Sequence, residues 1–386
     1  MQMRKIFIFT SSRADYGHLF EIIKHLEKTE YADTKLIVGG THLNDEFGAT
    51  LKHIENDGFC IDYKIDFAFT GDSALDIALA NANATIGAAK IFASEPPDLL
   101  VLLGDRVEIL ALAQAAVIAG IPIAHIHGGE ITEGAIDDSI RHAVTKLSSL
   151  HFVATKTYQN RILQLGEPEN KVFNFGAPGI DNLKNTQFLS LQEIEQKLEF
   201  HLGQKYFLIT FHPTTLEKDM EYELFSNLLI VLRDLRETKL LITFPNNDEK
   251  NSIFIEKIKS EANKFPNRVC AVRSLGRVHY TNAMRHASAV VGNSSSGIIE
   301  APSFGIPTIN IGSRQKGRIK AVSIVDSDGS KRSIKEALRT IACEKFQKIC
   351  STCENPYGNG SSALKIVDEL IHHPLTDLTK KHFVDR

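Results

Sequence analysis

The sequence predicts an α/β fold built as two Rossmann-like, doubly wound domains facing a cleft. Three observations predict it. Short β-rich runs alternate with helix-period segments along the chain. The alternation halts once, at a polar segment, and then starts again. At 386 residues and 43% hydrophobic, the chain is long enough for two ordinary cores.

The first series of strands reads Lys5–Phe9, Thr34–Val38, Leu99–Leu103, Pro122–Ile126 and Phe152–Ala154, with helical segments at His18–Leu26, Ala74–Phe92, Glu108–Ala119 and Ser139–Ser148. Strands joined by helical crossovers lie parallel. The polar run from Asp181 to Gln196, after Gly176-Ala-Pro-Gly179, reads as the crossover between domains. A second series follows: Tyr206–Phe211, Leu240–Phe244, Val269–Val272, Ala289–Val291 and Thr308–Ile311, with helices such as Met220–Arg236 and Lys250–Lys264. This gives a first domain over 1–180 and a second over 181–361. A last helix pattern, Ala363–His372 within 362–386, is expected to pack back on the first domain.

Composition removes several classes. A net charge of −3 is too balanced to imply a nucleic-acid or membrane partner. No apolar run reaches the ~18 residues of a membrane helix, and the opening residues read as a strand rather than a signal peptide. Five dispersed cysteines do not make a disulfide framework, and a reducing cytoplasm is the expected compartment. Cys350-Ser-Thr-Cys353 has redox or half-zinc spacing, yet no second pair accompanies it, so both read as incidental thiols. Neither half carries Gly-x-Gly-x-x-Gly or a phosphate loop after its first strand, which disfavours nicotinamide and phosphate-loop chemistry. No cofactor is expected.

Open parallel sheets bind ligands at the carboxyl ends of their strands, and there the polar residues gather. After the first strand comes Thr10-Ser11-Ser12-Arg13-Ala-Asp15-Tyr16, suited to an anion at a helix N-terminus with Arg13 adding a forked contact, or simply to capping by Ser12 or Asp15. In the second half, Gly292-Asn293-Ser294-Ser295-Ser296-Gly297 runs from a strand into a helix and suits a diphosphate. Glu300 near that helix's first turn either accepts from a ribose diol or complements the helix dipole. Arg314, after the next strand, faces the same anion. His212, in Phe211-His212-Pro213-Thr214-Thr215, either binds phosphate, shuttles a proton or is structural.

The densest stretch runs from Gly104 to His142. It holds Gly104-Asp105-Arg106, His125-Ile-His127-Gly-Gly-Glu130 and Asp137-Asp138-Ser-Ile-Arg141-His142. Acids, bases and cations at strand ends point to proton transfer on an anionic substrate. A metal reading competes: strand alternation puts His125 and His127 on one face with Asp105 near, but no third strong ligand pattern completes a zinc site.

These motifs, with Gly312-Ser-Arg314-Gln315 and Asn355-Pro-Tyr357-Gly358-Asn359-Gly360, together resemble the hydrolysing UDP-N-acetylglucosamine 2-epimerases of sialic and related nonulosonic acid pathways, in order and over essentially the whole chain. The resemblance implies a glycosyltransferase-B-like pair of domains, no metal, and a homodimer or homotetramer. It implies a two-stage reaction on a UDP-sugar. Loss of UDP and of the C2 proton gives a 2-acetamidoglycal, and water then adds to release the free 2-epimer, N-acetylmannosamine. Carried over by motif, Asp105 and Asp137 are the acid/base carboxylates, and Arg106 is adjacent to the sugar. Glu130 belongs to the same catalytic turn. Arg13, His212, Ser294, Ser295 and Arg314 hold the diphosphate, and Glu300 holds the ribose. Ser274 to Tyr280 resembles the uracil side.

The chain departs from the family where Glu is typical and His127 stands. Either neutral His127 takes over that proton transfer, or it marks a branch acting on UDP-2,4-diacetamido-2,4,6-trideoxyglucose, with N-acetylglucosamine slightly favoured. Asn359 in place of Asp suits the same turn. A non-hydrolysing epimerase or glycosyltransferase is the second reading, disfavoured by the Asp137–His142 run. A UDP-sugar sensor is the third, and it would need neither Asp105 nor Asp137.

Overall fold

A computed structural model of the chain describes residues 3–43, 50–67, 73–132, 136–212, 218–245 and 252–386. The expected Pro213-Thr214-Thr215 and the start of the Lys250 helix lie outside the described residues. The chain forms two compact units, Met1–Lys184 with Tyr357–Arg386, and Asn185–Pro356.

The first unit carries seven strands among the described residues: β1 Arg4–Thr10, β2 Ala32–Gly39, β3 Tyr63–Ile65, β4 Leu99–Leu103, β5 Ile123–Ile126, β6 Leu150–Val153 and β7 Val172–Asn174. They pair in the order β3-β2-β1-β4-β5-β6-β7, all parallel. Alternation along β1 explains the two-faced core. Ile6 and Ile8 enter one cluster with the helix Arg13–Leu26, while Phe7 and Phe9 enter the other with helices Ala74–Ser94 and Val107–Ile118. The helix Ser362–His372 buries Ala363, Ile366, Leu370 and Ile371 in the first of these clusters. Its N-terminus is capped at long range, the Asp181 carboxylate accepting from the backbone N–H groups of Ser362 and Ala363, each at 3.1 Å.

The second unit carries β8 Tyr206–Thr210, β9 Lys239–Thr243, β10 Val269–Val272, β11 Ala289–Gly292, β12 Thr308–Ile311 and β13 Ile324–Ser327. Their order is β10-β9-β8-β11-β12-β13, again parallel. Phe207 and Ile209 of β8 face one cluster, and Tyr206 and Leu208 the other.

Both sheets reverse direction of growth beside their first strand, between β1 and β4 and between β8 and β11. These are the switch points at which doubly wound sheets bind ligands. Sequence reading omits β3, β7 and β13, which are edge strands of three or four residues with too few alternations to register. The polar segment read as a crossover holds two short helices, Pro178–Asn185 and Leu191–Leu198, the second closed by a Ser190/Glu193 capping box.

Candidate active site

In the first unit, β1 ends in Thr10-Ser11-Ser12. Ser12 caps the helix Arg13–Leu26 by accepting from the Asp15 N–H at 3.3 Å, and Asp15 accepts from the Ser11 hydroxyl at 2.7 Å. The capping role foreseen for these residues is therefore real, and Arg13 is left on the exposed side of the first turn. Burial raises the Asp15 pKa, with Arg106 opposing. His42, beyond β2, lies behind this turn, its ring bonded to Thr10 at 3.1 Å and Thr50 at 2.9 Å, and burial holds it neutral with a pKa of about 4.

Across the switch point, β4 runs into Gly104-Asp105-Arg106. Arg106 donates from Nε to buried Glu108 at 2.6 Å. Burial works against its charge, but Glu108, Asp15 and Asp137 outweigh it and hold its pKa above the ordinary value. Arg106 is thus the common electrostatic neighbour of the β1 and β4 turns and of the helix Ile136–Leu147. Asp137 opens that helix, and desolvation raises its pKa against the pull of Arg106. One turn on, buried Arg141 donates to Asp105, to Asp138 at 3.2 Å and to the Thr132 hydroxyl at 2.8 Å.

The β5 turn corrects one expectation. His125 and His127 do not share a face. The strand stops at Ile126, and His127 adopts φ +65°, a left-handed conformation that breaks the alternation. His125 is fully buried, its Nε2 bonded to the Gly104 carbonyl at 2.8 Å and Nδ1 lying 3.4 Å from the Thr145 hydroxyl; burial lowers its pKa to about 3. His127 instead directs Nδ1 to the Glu130 carboxylate at 2.7 Å. Among the described residues no group of three His, Cys, Asp or Glu side chains stands together as a metal ligand set.

In the second unit, Asn293 is the keystone. Its side chain accepts from the His212 N–H and donates to the His212 carbonyl, both at 2.7 Å, joining the ends of β8 and β11. Its own carbonyl receives Arg314 at 2.9 Å and Gln315 at 2.8 Å. His212, Asn293 and Arg314 are thereby drawn together. Loss of hydration, then Arg314, lowers the His212 pKa to about 4. Ser294 caps the short helix Ser295–Ile299. The Tyr280 hydroxyl lies 2.7 Å from that of Ser296 and 3.3 Å from Thr210, tying the turn to β8.

A family model described as UDP-N-acetylglucosamine 2-epimerase matches residues 24–371. The chain belongs to the UDP-N-acetylglucosamine 2-epimerase family. It is 38% identical, over 85% of each chain, to the GDP/UDP-N,N'-diacetylbacillosamine 2-epimerase (hydrolyzing) of Campylobacter jejuni. It is 33% identical, over 97% of each, to the UDP-N,N'-diacetylbacillosamine 2-epimerase (hydrolyzing) of Legionella pneumophila. Its fold matches the crystal structure of the Neisseria meningitidis UDP-GlcNAc 2-epimerase bound to UDP-GlcNAc, with a TM-score of 0.82 at 19% identity, over 95% of this chain and 99% of that one.

Glu300 calls for a second correction. In this epimerase the helix beginning at Ser295 ends after five residues, so Glu300 is its C-cap and not a first-turn carboxylate. Glu300 is also the N-cap of the short turn Ala301–Phe304, and loss of hydration lifts its pKa to about 7. Residues to which the sequence assigned no role are Thr132, Glu108 and His42, together with Arg141 and Gln315, which stand in the quoted motifs without a task of their own. Arg141 has the i,i+3 spacing from Asp138, and Glu108 stands two residues from Arg106; His42 and Gln315 meet Thr10 and Asn293, distant in sequence.

Proposed function

We propose that the chain is a hydrolysing 2-epimerase of nucleotide-linked 2-acetamido sugars, with the diacetamido-trideoxy sugar nucleotide as its substrate. The first unit would carry the proton transfers and the second the nucleoside diphosphate. The observation that carries this reading is the separation of two carboxylates by environment. Asp105 is ion-paired with Arg141, while desolvation pushes Asp137 toward its protonated form. Unequal environments of this kind divide acid from base work.

In the first stage the C1–O electron pair leaves with the diphosphate, helped by Arg13, Arg314, His212 and the donors of Ser294 and Ser295. The C2 proton is taken by His127, and the C2–H pair becomes the double bond of the glycal. In the second stage Asp137 returns a proton to C2 from the other face, and water adds at C1, giving its proton to Asp105. Arg106 steadies the carboxylates flanking the ring, and Glu300 accepts from the ribose diol.

The diacetamido sugar takes precedence because it is named in both of the more similar relatives reported above; the name of the family keeps UDP-N-acetylglucosamine as the second reading. A homo-oligomer is also proposed, supported by the exposed apolar residues Leu75, Leu79 and Ile86 on one helix and Val117 and Ile118 on the next. Incubation in D2O with UDP-N-acetylglucosamine, UDP-diacetamido-trideoxyglucose and its GDP counterpart tests the reaction. Free, C2-deuterated 2-epimer with the nucleoside diphosphate is expected, fastest with a diacetamido sugar. A nucleotide-linked product would make the enzyme non-hydrolysing, and no turnover of any sugar would refute the reading.

A further inference from the structure

We infer that Glu130 is a positioning residue that holds His127 in the tautomer protonated at Nδ1, leaving Nε2 as the base that takes the sugar C2 proton. The inference rests on the 2-epimerase reading above and assigns an atom and a partner within it.

A carboxylate only accepts, so the 2.7 Å contact places the imidazole proton on Nδ1. The other ring nitrogen is then a lone-pair acceptor. His127 is 9% exposed, and its Nε2 is buried with no hydrogen-bond partner among the described residues. An unsatisfied buried acceptor is costly, and this one stands just past the carboxyl end of β5, where parallel sheets bind ligands that could supply the missing proton. The ring of His18 stands edge-on at 5.4 Å between centroids and limits how the imidazole can turn.

The backbone is built for this pairing. The left-handed conformation of His127 costs about 1 kcal/mol for a residue with a Cβ, and it swings the side chain off the strand's alternation. Gly128 and Gly129 then bring the chain back. A Cβ on Gly129 would lie 2.5 Å from the Tyr158 carbonyl oxygen, at a φ of +76°, and Arg161 clamps the Gly129 carbonyl. Glu130, 5% exposed, arrives beneath the ring three residues later. Of the other two histidines of this sheet, His151 also pairs one nitrogen with a carboxylate and buries the other without a partner, but it lies inside β6 rather than at a strand-end turn. Both nitrogens of His125 have partners, and His151 shares Glu167 with Lys146 and Lys381.

In the step itself the C2 proton moves to Nε2, the C2–H pair forms the C1=C2 bond, and the C1–O pair departs on the diphosphate. The imidazolium so formed shares its charge with the Glu130 carboxylate, as the aspartate does in a serine-protease triad.

The test uses the full-length protein labelled with 15N-histidine. Long-range N–H correlation at pH 8, assigned with His127→Gln, should show His127 protonated at Nδ1 and bare at Nε2. Glu130→Gln should lower kcat for C2 deuterium exchange by about 100-fold or more, with KM within about threefold. A proton on Nε2 in the wild type, an unchanged kcat in Glu130→Gln, or a loss confined to KM would each overturn the inference. Should Glu130→Gln fail to fold, the wild-type tautomer still decides. Should the wild type turn over none of the nucleotide sugars, the base role falls with the reaction, and the tautomer alone shows whether Glu130 positions the ring.

Discussion

Asp105 and Asp137 sit 32 positions apart in sequence and are placed in different environments by their neighbours. Arg141 neutralises Asp105 while Arg106 only partly offsets the desolvation of Asp137. Asp137→Asn should lower kcat by roughly 100-fold or more with little change in KM, as loss of a general acid does, and steady-state kinetics on the preferred sugar will measure it. Arg141→Ala removes the cation shared by Asp105 and Asp138 and should destabilise the fold by about 3 kcal/mol, read from urea titration. Glu300 supplies a pH test. Its folded pKa of about 7 lies above the 4.5 of an ordinary glutamate, so between those values the folded chain holds a proton that the unfolded chain has lost. Its contribution is therefore complete below pH ~4.5 and lost as pH rises through ~7. Glu300→Gln should flatten that part of the Tm profile and be the more stable form at pH 8, by on the order of 2 kcal/mol. The positions of these groups were legible in the sequence because turn residues mark strand ends. Their partnerships were not, since Arg141 reaches Asp105 only after β4 and the following helices have packed.

At the scale of elements, the turns do the positioning. Gly292, at φ +138°, ends β11 so close to β8 that a Cβ would stand 2.1 Å from the Thr210 carbonyl oxygen. Gly292→Ala should cost more than about 2 kcal/mol and loosen the Asn293 bridge to His212, which weaker UDP binding by calorimetry would register. Asp181→Ala should free the N-terminus of the helix Ser362–His372 by about 1 kcal/mol, and amide exchange should quicken first at Ser362 and Ala363. Central strands were legible because each is a short run rich in apolar or β-branched residues between helical segments. The edge strands β3, β7 and β13 were not, though the edge strand β10 was, and neither was the five-residue length of the helix after Ser294. Glycine and serine there signalled a phosphate-type turn but carried no mark of where the helix would stop.

The whole molecule is stitched from discontinuous sequence. The second unit is one continuous stretch, Asn185–Pro356, whereas the first needs Tyr357–Arg386 to fill the face of its sheet. A fragment of residues 185–356 should unfold cooperatively by itself, and a fragment of 1–184 should do so only when 357–386 is supplied in trans, both followed by circular dichroism. The Asn-Pro-Tyr-Gly motif lies at that return. Asn355 donates to the Ile299 carbonyl in the second unit, and the Tyr357 hydroxyl meets that of Tyr158 at 3.1 Å in the first.

By itself the sequence determined the class of fold, the parallel strands and the turns that bear chemistry, because hydrophobic period and turn composition are local quantities. Only the tertiary structure decided that His127 leaves its strand to face Glu130, that Arg141 closes on Asp105, and that Glu300 ends its helix rather than beginning it. Those outcomes depend on which distant backbone and charge lie within a few ångströms, and local sequence holds no record of that distance.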